Sequence, residues 1–227
     1  MLLKRERNLI SDWLRSDVLP DLVFDVRSRR WLYRDSRQFA PMQAVRVQAE
    51  RYRNAQQLEL TRLGSKYTKG EISLKQFQID AAQALKGIHL AEMIRALDRQ
   101  DQATAERFLL IARNLQQQYY RGKDPLTGDR YGLKYLFKDV VEGRVSPGQL
   151  ENRLRMFGES GKVSYWGIKA NIALETMSEA RRLLAPAEHC ANCLEYARRG
   201  WQSIADTILP TQACQCRSNC KCTLEFR

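Results

Sequence analysis

The residues richest in chemistry lie at the end of this 227-residue chain. All six cysteines fall within the last 38 residues, at Cys190, Cys193, Cys214, Cys216, Cys220 and Cys222. They read Glu188-His189-Cys-Ala-Asn-Cys193, then twenty residues, then Cys214-Gln-Cys-Arg-Ser-Asn-Cys-Lys-Cys222. A CxxC turn lets two thiolates face one ion while backbone N–H groups bond to the sulfurs. A second cysteine cluster about 20 residues on completes a four-coordinate site of the zinc-ribbon type. Cys190 and Cys193 supply the first two ligands. The second pair comes from Cys214, Cys216, Cys220 and Cys222, with Cys216 and Cys220 favoured and Cys222 as the substitute. His189 stands next to the site, either replacing a thiolate or packing behind the ligands.

Three uses of such a cluster compete. An even cysteine count permits three disulfides, and a CxxC can do redox work. The start Met-Leu-Leu-Lys-Arg-Glu-Arg puts charges where a secretory leader needs an apolar run, so a cytoplasmic chain with reduced thiols is expected. The CxxC does not follow a strand of a βαβ unit, which speaks against redox catalysis. A catalytic zinc keeps an open position beside an acid or base, whereas six thiols favour a closed one. The expectation is therefore a structural zinc.

Elsewhere the chain offers little catalytic chemistry. His89 and His189 are its two histidines, and HExxH, GxSxG, GxGxxG and GKS/T motifs are absent. Glu71, Asp80, Glu142 and Glu151 are scattered along helical stretches, so the chain reads as a non-enzyme. The net charge of +12 is spread over the whole length, with only +1 on the tail from Pro186. A local concentration occurs at Arg27, Arg29, Arg30, Arg34 and Arg37, interleaved with Trp31, Tyr33 and Phe39. Arginine beside aromatics can grip phosphates and stack on bases, and it can equally form a solvated hairpin or a protein interface. Arg29, Arg30, Trp31 and Arg34 are the candidate contacts to nucleic acid or a partner.

The elements that must position these residues are mainly α-helical. Leu9, Ile10, Trp13 and Leu14 predict a helix over about 4–16, ended by Pro20. The segment from Leu22 to Phe39 is rich in β-formers around a polar centre and predicts a short hairpin. Pro41 opens a helix expected to stop at Gly64, with Leu58, Leu60 and Leu63 as its clearest apolar positions. Ser73 caps a helix whose stripe is Phe77, Ala81, Ala84, Leu85 and Ile88. Further helices are predicted over about 91–97, 102–121, 131–142, 147–157 and 163–184, and the loop from Arg121 to Arg130 is the plainest break. The fold class is thus mainly α: a helical body, a small N-terminal β-hairpin and a C-terminal zinc-knuckle-like module. The expected divisions are an arm over 1–63, a helical core over 64–185 and the cysteine module over 186–227. No apolar run approaches the roughly 20 residues that a membrane span needs.

One resemblance sharpens the functional expectation. Leu184-Ala-Pro-Ala-Glu-His-Cys-Ala-Asn-Cys193, Gly200-Trp201, Leu209-Pro210 and Cys216-Arg-Ser-Asn-Cys-Lys-Cys-Thr-Leu224 together resemble the tail of tailed-phage head morphogenesis, or minor head, proteins. In that family an Asn-Cys-Arg-Cys signature closes the C-terminal domain, and here Asn219-Cys220-Lys221-Cys222 carries lysine for arginine. Gly70-Glu-Ile-Ser-Leu-Lys-Gln-Phe77, Gly143 to Pro147 and Tyr33-Arg-Asp-Ser-Arg-Gln-Phe39 are weaker points of similarity, and about half the chain is covered. The resemblance implies a virion component assembled in the host cytoplasm near the portal vertex, aiding head assembly or DNA retention. Its partners would be portal, capsid or neck proteins and packaged DNA, within an oligomer in the particle. The metal-site residues it implies are His189, Cys190, Cys193, Cys220 and Cys222. The competing reading is a nucleic-acid-binding zinc protein acting in regulation or DNA packaging, gripping DNA through Arg29, Arg30 and Arg34.

Overall fold

A strand pair opens the described part of the chain: β1 (Leu22–Asp25) and β2 (Arg30–Tyr33) run antiparallel, with Phe24 opposite Trp31. The structure is a computed structural model and describes residues 19–25, 27–121, 128 and 130–227. The helix expected over 4–16 lies outside these residues, as does most of the expected 121–130 loop. The hairpin forms as expected, and Arg29 at its tip takes a positive φ of 55°.

Helix α1 (Met42–Thr68) does not stop at Gly64. A Cβ at that residue would lie 2.5 Å from Leu154 Cδ1, so the glycine admits a crossing helix and ends nothing. Leu60 and Leu63 are buried, whereas Leu58 is exposed. Helix α2 (Leu74–Ala96) starts where Ser73 Oγ accepts from the Gln76 backbone N–H. It is one helix through 74–96, where two were expected, because an unbroken buried face from Phe77 to Ala96 lies along α1. Helix α3 (Ala105–Gln116) is capped by Thr104 and continues as a π turn over Gln117–Arg121. Helices α4 (Leu133–Val141), α5 (Pro147–Glu159) and α6 (Lys162–Ala173) follow. The start of α5 is a full capping box, Ser146 with Gln149, with Pro147 in the first turn.

Two cores line the α1–α2 pair. One unites the hairpin side chains Leu22, Phe24 and Trp31 with Val45, Ala49, Met93, Phe108, Ile111 and Ile168. The other joins Leu60, Leu63, Phe77 and Leu85 to Leu136, Phe137, Leu150 and Leu154 of α4 and α5. The described part of the 1–63 segment thus contributes side chains to both cores.

The sequence reading fails most clearly after α6. In place of a helix running to Leu184, α6 ends at Ala173 and β3 (Glu179–Leu183) crosses a three-stranded antiparallel sheet. Helix α7 (Ala191–Arg198), β4 (Gln202–Ser203) and β5 (Thr223–Phe226) complete it, in the order β4–β3–β5. Glu179-Ala-Arg-Arg-Leu is a locally good helix sequence. It becomes a strand because β5 supplies a partner across Ala180↔Phe226 to Leu183↔Thr223, a pairing separated by some forty residues in sequence. Ala170 and Ala173 of α6 meet Ala180 and Ile204 there, seating the sheet on the helical body.

Candidate metal centre

Three short pieces of this module bring the cysteines together. Cys190 is the N-cap of α7 and Cys193 lies in its first turn, so both sulfurs sit at the positive end of a helix. Cys214 and Cys216 lie on a run of tight turns in which Arg217 N–H donates to Cys214 O and Asn219 N–H to Cys216 O. Cys220 and Cys222 lead straight into β5, so the pairing of β5 on β3 fixes their position. Tyr196 Oη donates to Ala213 O at 2.7 Å and Gln215 N–H to Asn192 Oδ1 at 3.3 Å, tying the turns to α7. Trp201 clamps the far side, with the Arg181 and Arg227 guanidiniums 4.7 and 4.3 Å from its ring centre.

All six cysteines are free thiols. The sulfurs of Cys190, Cys193, Cys214 and Cys216 lie within 4.8 Å of one another, and so do those of Cys193, Cys220 and Cys222. Cys193 Sγ is 3.7 Å from both Cys216 Sγ and Cys220 Sγ. Four sulfurs about 2.3 Å from a tetrahedral ion stand ~3.8 Å apart, so this cluster can coordinate a metal ion. Of the expected ligands, Cys190, Cys193 and Cys216 fall in the four-thiol group, and Cys220 and Cys222 meet Cys193 in the second. Cys214 belongs with the first group although Cys216 and Cys220 were preferred to it. The Cys214-x-Cys216 spacing was the signal that could have singled it out.

Sequence reasoning also missed Arg182. This β3 residue is 4 % exposed, and its Nη1 lies 3.7 Å from Cys193 Sγ and 3.9 Å from Cys220 Sγ. Its Nη2 donates to Ile208 O, its guanidinium lies 4.9 Å from the Tyr196 ring centre, and its Nε is buried without a partner. A cation so buried needs negative charge beside it, and thiolates held by a metal supply that charge. Among themselves the thiols divide into donors and acceptors. A hydrogen bond with Cys214 holds Cys220 down at about 4. Burial raises Cys190, but hydrogen bonds from Cys216 and Cys193 outweigh it and bring that thiol to about 7. Cys214 is pushed up first by its bond to Cys220, and Cys193, Cys216 and Cys222 are pushed up first by burial. Six sulfurs this close cannot all ionise without a cation among them.

Compared with family models, curated proteins and solved structures, the chain finds no match.

The other expected site residues are placed differently. Trp31 is 4 % exposed, its ring edge-on to Phe24 at 4.6 Å, so it is a core side chain and offers no face to a base. Arg29 donates to Asp101 O, and Arg30 stacks 4.9 Å from the Phe39 ring centre. The Arg34 backbone N–H donates to Asp21 O. His89, read as an ordinary helix-face residue, is wholly buried between Ser160 and Ser164. Between the tail and the body runs a cavity of about 520 Å³, bordered by Tyr135, Asp139 and Arg153 on one side and Thr211, Cys214 and Arg217 on the other. Among the described residues no helix is long and apolar enough to cross a membrane.

Proposed function

We propose that this chain is a structural protein of a phage particle, at the head or portal vertex, whose C-terminal module is locked by a structural zinc ion. The observation that carries the metal reading is the four-thiol group of Cys190, Cys193, Cys214 and Cys216, drawn from α7 and from turns more than twenty residues away. Its four protein ligands leave no coordination position for water or substrate, which is the arrangement of a structural zinc. The module has little core of its own beyond Tyr196 and the sulfurs, so metal–sulfur bonds would supply much of its stability. The particle reading rests on the resemblance of the tail to minor head proteins. Seating of the sheet on α6 would then couple a locked tail to the helical body that meets portal, capsid or DNA.

Two measurements on the same system test the proposal. Elemental analysis of the purified full chain should find zinc, and chelation should abolish the near-ultraviolet signal of Trp201 while the helical far-ultraviolet signal largely persists. Mass spectrometry of particles purified from the producing strain should find the chain at low copy number in procapsids or filled heads. A metal-free folded tail would refute the zinc reading, and absence from both kinds of particle would refute the structural role.

A further inference from the structure

The two thiol groups share one residue, and that sharing extends the metal reading just given. Cys193 belongs to the group with Cys190, Cys214 and Cys216 and also to the group with Cys220 and Cys222. We infer that the module holds two divalent zinc-class ions bridged by the Cys193 thiolate, the second bound by Cys193, Cys220 and Cys222, with His189, which stands beside Cys222 alone, as the side chain that would swing in to close its fourth position.

Three observations support the second ion. The first is the pair of sulfur distances at Cys193: 3.7 Å to Cys216 in one group and 3.7 Å to Cys220 in the other. Each is close to the ~3.8 Å edge of a thiolate tetrahedron, so the sulfur stands at a corner of both. The second is His189. Its Nε2–H donates to Ala185 O at 2.6 Å, and its Nδ1 lies 3.6 Å from Cys222 Sγ. The carbonyl can only accept, so it fixes the tautomer and leaves the Nδ1 lone pair facing Cys222. A metal-bound histidine is commonly held this way through its other ring nitrogen. With Zn–N about 2.0–2.1 Å and Zn–S about 2.3 Å, the tetrahedral N–S edge is ~3.6 Å. The third is Arg182, which reaches Cys220 as well as Cys193. Its charge therefore faces a sulfur of the second group outside the first tetrahedron. Two dications among six thiolates carry two net negative charges, and one buried guanidinium offsets half of that.

The inference rests on the metal reading, and the test separates the two. Full-length protein is loaded with zinc and weighed by native mass spectrometry, then exchanged with ¹¹³Cd for NMR. Two ions per chain are expected, with two ¹¹³Cd resonances that couple to each other through the shared sulfur. His189→Ala should lower occupancy of one ion at limiting metal and move its resonance, while the other ion stays fully bound; His189→Cys should restore two-ion binding. One ion per chain would overturn the binuclear inference and leave the single closed site standing. Two uncoupled resonances would overturn the shared thiolate, and two unmoved resonances in His189→Ala would remove His189 from the site. A chain that binds no ion would overturn both readings.

Discussion

Mild acid should destabilise this protein through His89, and the size of the effect follows from the ring's surroundings. His89 is completely buried on α2. Its Nδ1 lies 2.7 Å from Ser164 Oγ, which also accepts from Asn114 Nδ2 at 3.1 Å, so the Ser164 hydroxyl donates to the ring. Its Nε2 lies 3.3 Å from Ser160 Oγ, whose own hydrogen goes to Phe157 O, so there the ring donates. The neutral ring is satisfied on both sides, and a second proton would place a charge in the core without a compensating partner. Burial accordingly brings its pKa from 6.5 down to about 3. Above pH 6.5 the ring is neutral in both folded and unfolded chains and contributes no pH dependence. Below 6.5 the unfolded chain takes up a proton that the folded chain refuses, so stability falls as pH falls, by about 1.4 kcal/mol per unit until about pH 3. From pH 7.5 to 5.0 the loss due to this one group is about 2 kcal/mol. The assay is urea unfolding at both pH values for the wild type and for His89→Gln, which keeps a donor and an acceptor but cannot titrate. Carboxylates, thiols and bound metal are common to both proteins and cancel in the difference. The wild type should lose about 2 kcal/mol more than the variant over that interval. Parallel losses would refute a neutral, buried His89.

Two other substitutions probe the packing and the metal centre. Gly64→Ala gains about 1 kcal/mol of helix propensity but sets a Cβ 2.5 Å from the buried Leu154 Cδ1 where α1 and α5 cross, so a net loss of up to about 2 kcal/mol is expected; a urea midpoint above that of the wild type would show that the helices do not approach so closely. Arg182→Met keeps the bulk but removes the cation beside Cys193 and Cys220, and should weaken zinc retention by about 10–100-fold in competition with a chromophoric chelator. Equal retention would mean that the guanidinium does not stabilise the thiolates.

Much of the helical body was legible because its signals are local. Ser73 and Ser146 announced helix starts through side-chain oxygens that bond to N–H groups three residues on, and the stripe Phe77, Ala81, Ala84, Leu85, Ile88 follows from helical period alone. The hairpin was visible in its β-formers for the same reason. Gly64 misled because a glycine after an apolar run signals a stop, whereas this one serves a neighbour distant in the chain. The merging of two expected helices into α2 came from a continuous buried face that only α1 could cover.

A mainly helical chain with a cysteine module able to bind metal follows from local pattern, since cap chemistry, hydrophobic period and thiol spacing are properties of neighbouring residues. Tertiary structure alone decided that 179–183 is a strand, that Trp31 belongs to the core, and that Arg182 lies against the sulfurs. It also decided how six thiols divide into two groups around Cys193. Those outcomes depend on β5 returning to β3 and on the hairpin settling over α1 and α2, contacts between segments far apart in the chain that no local pattern encodes.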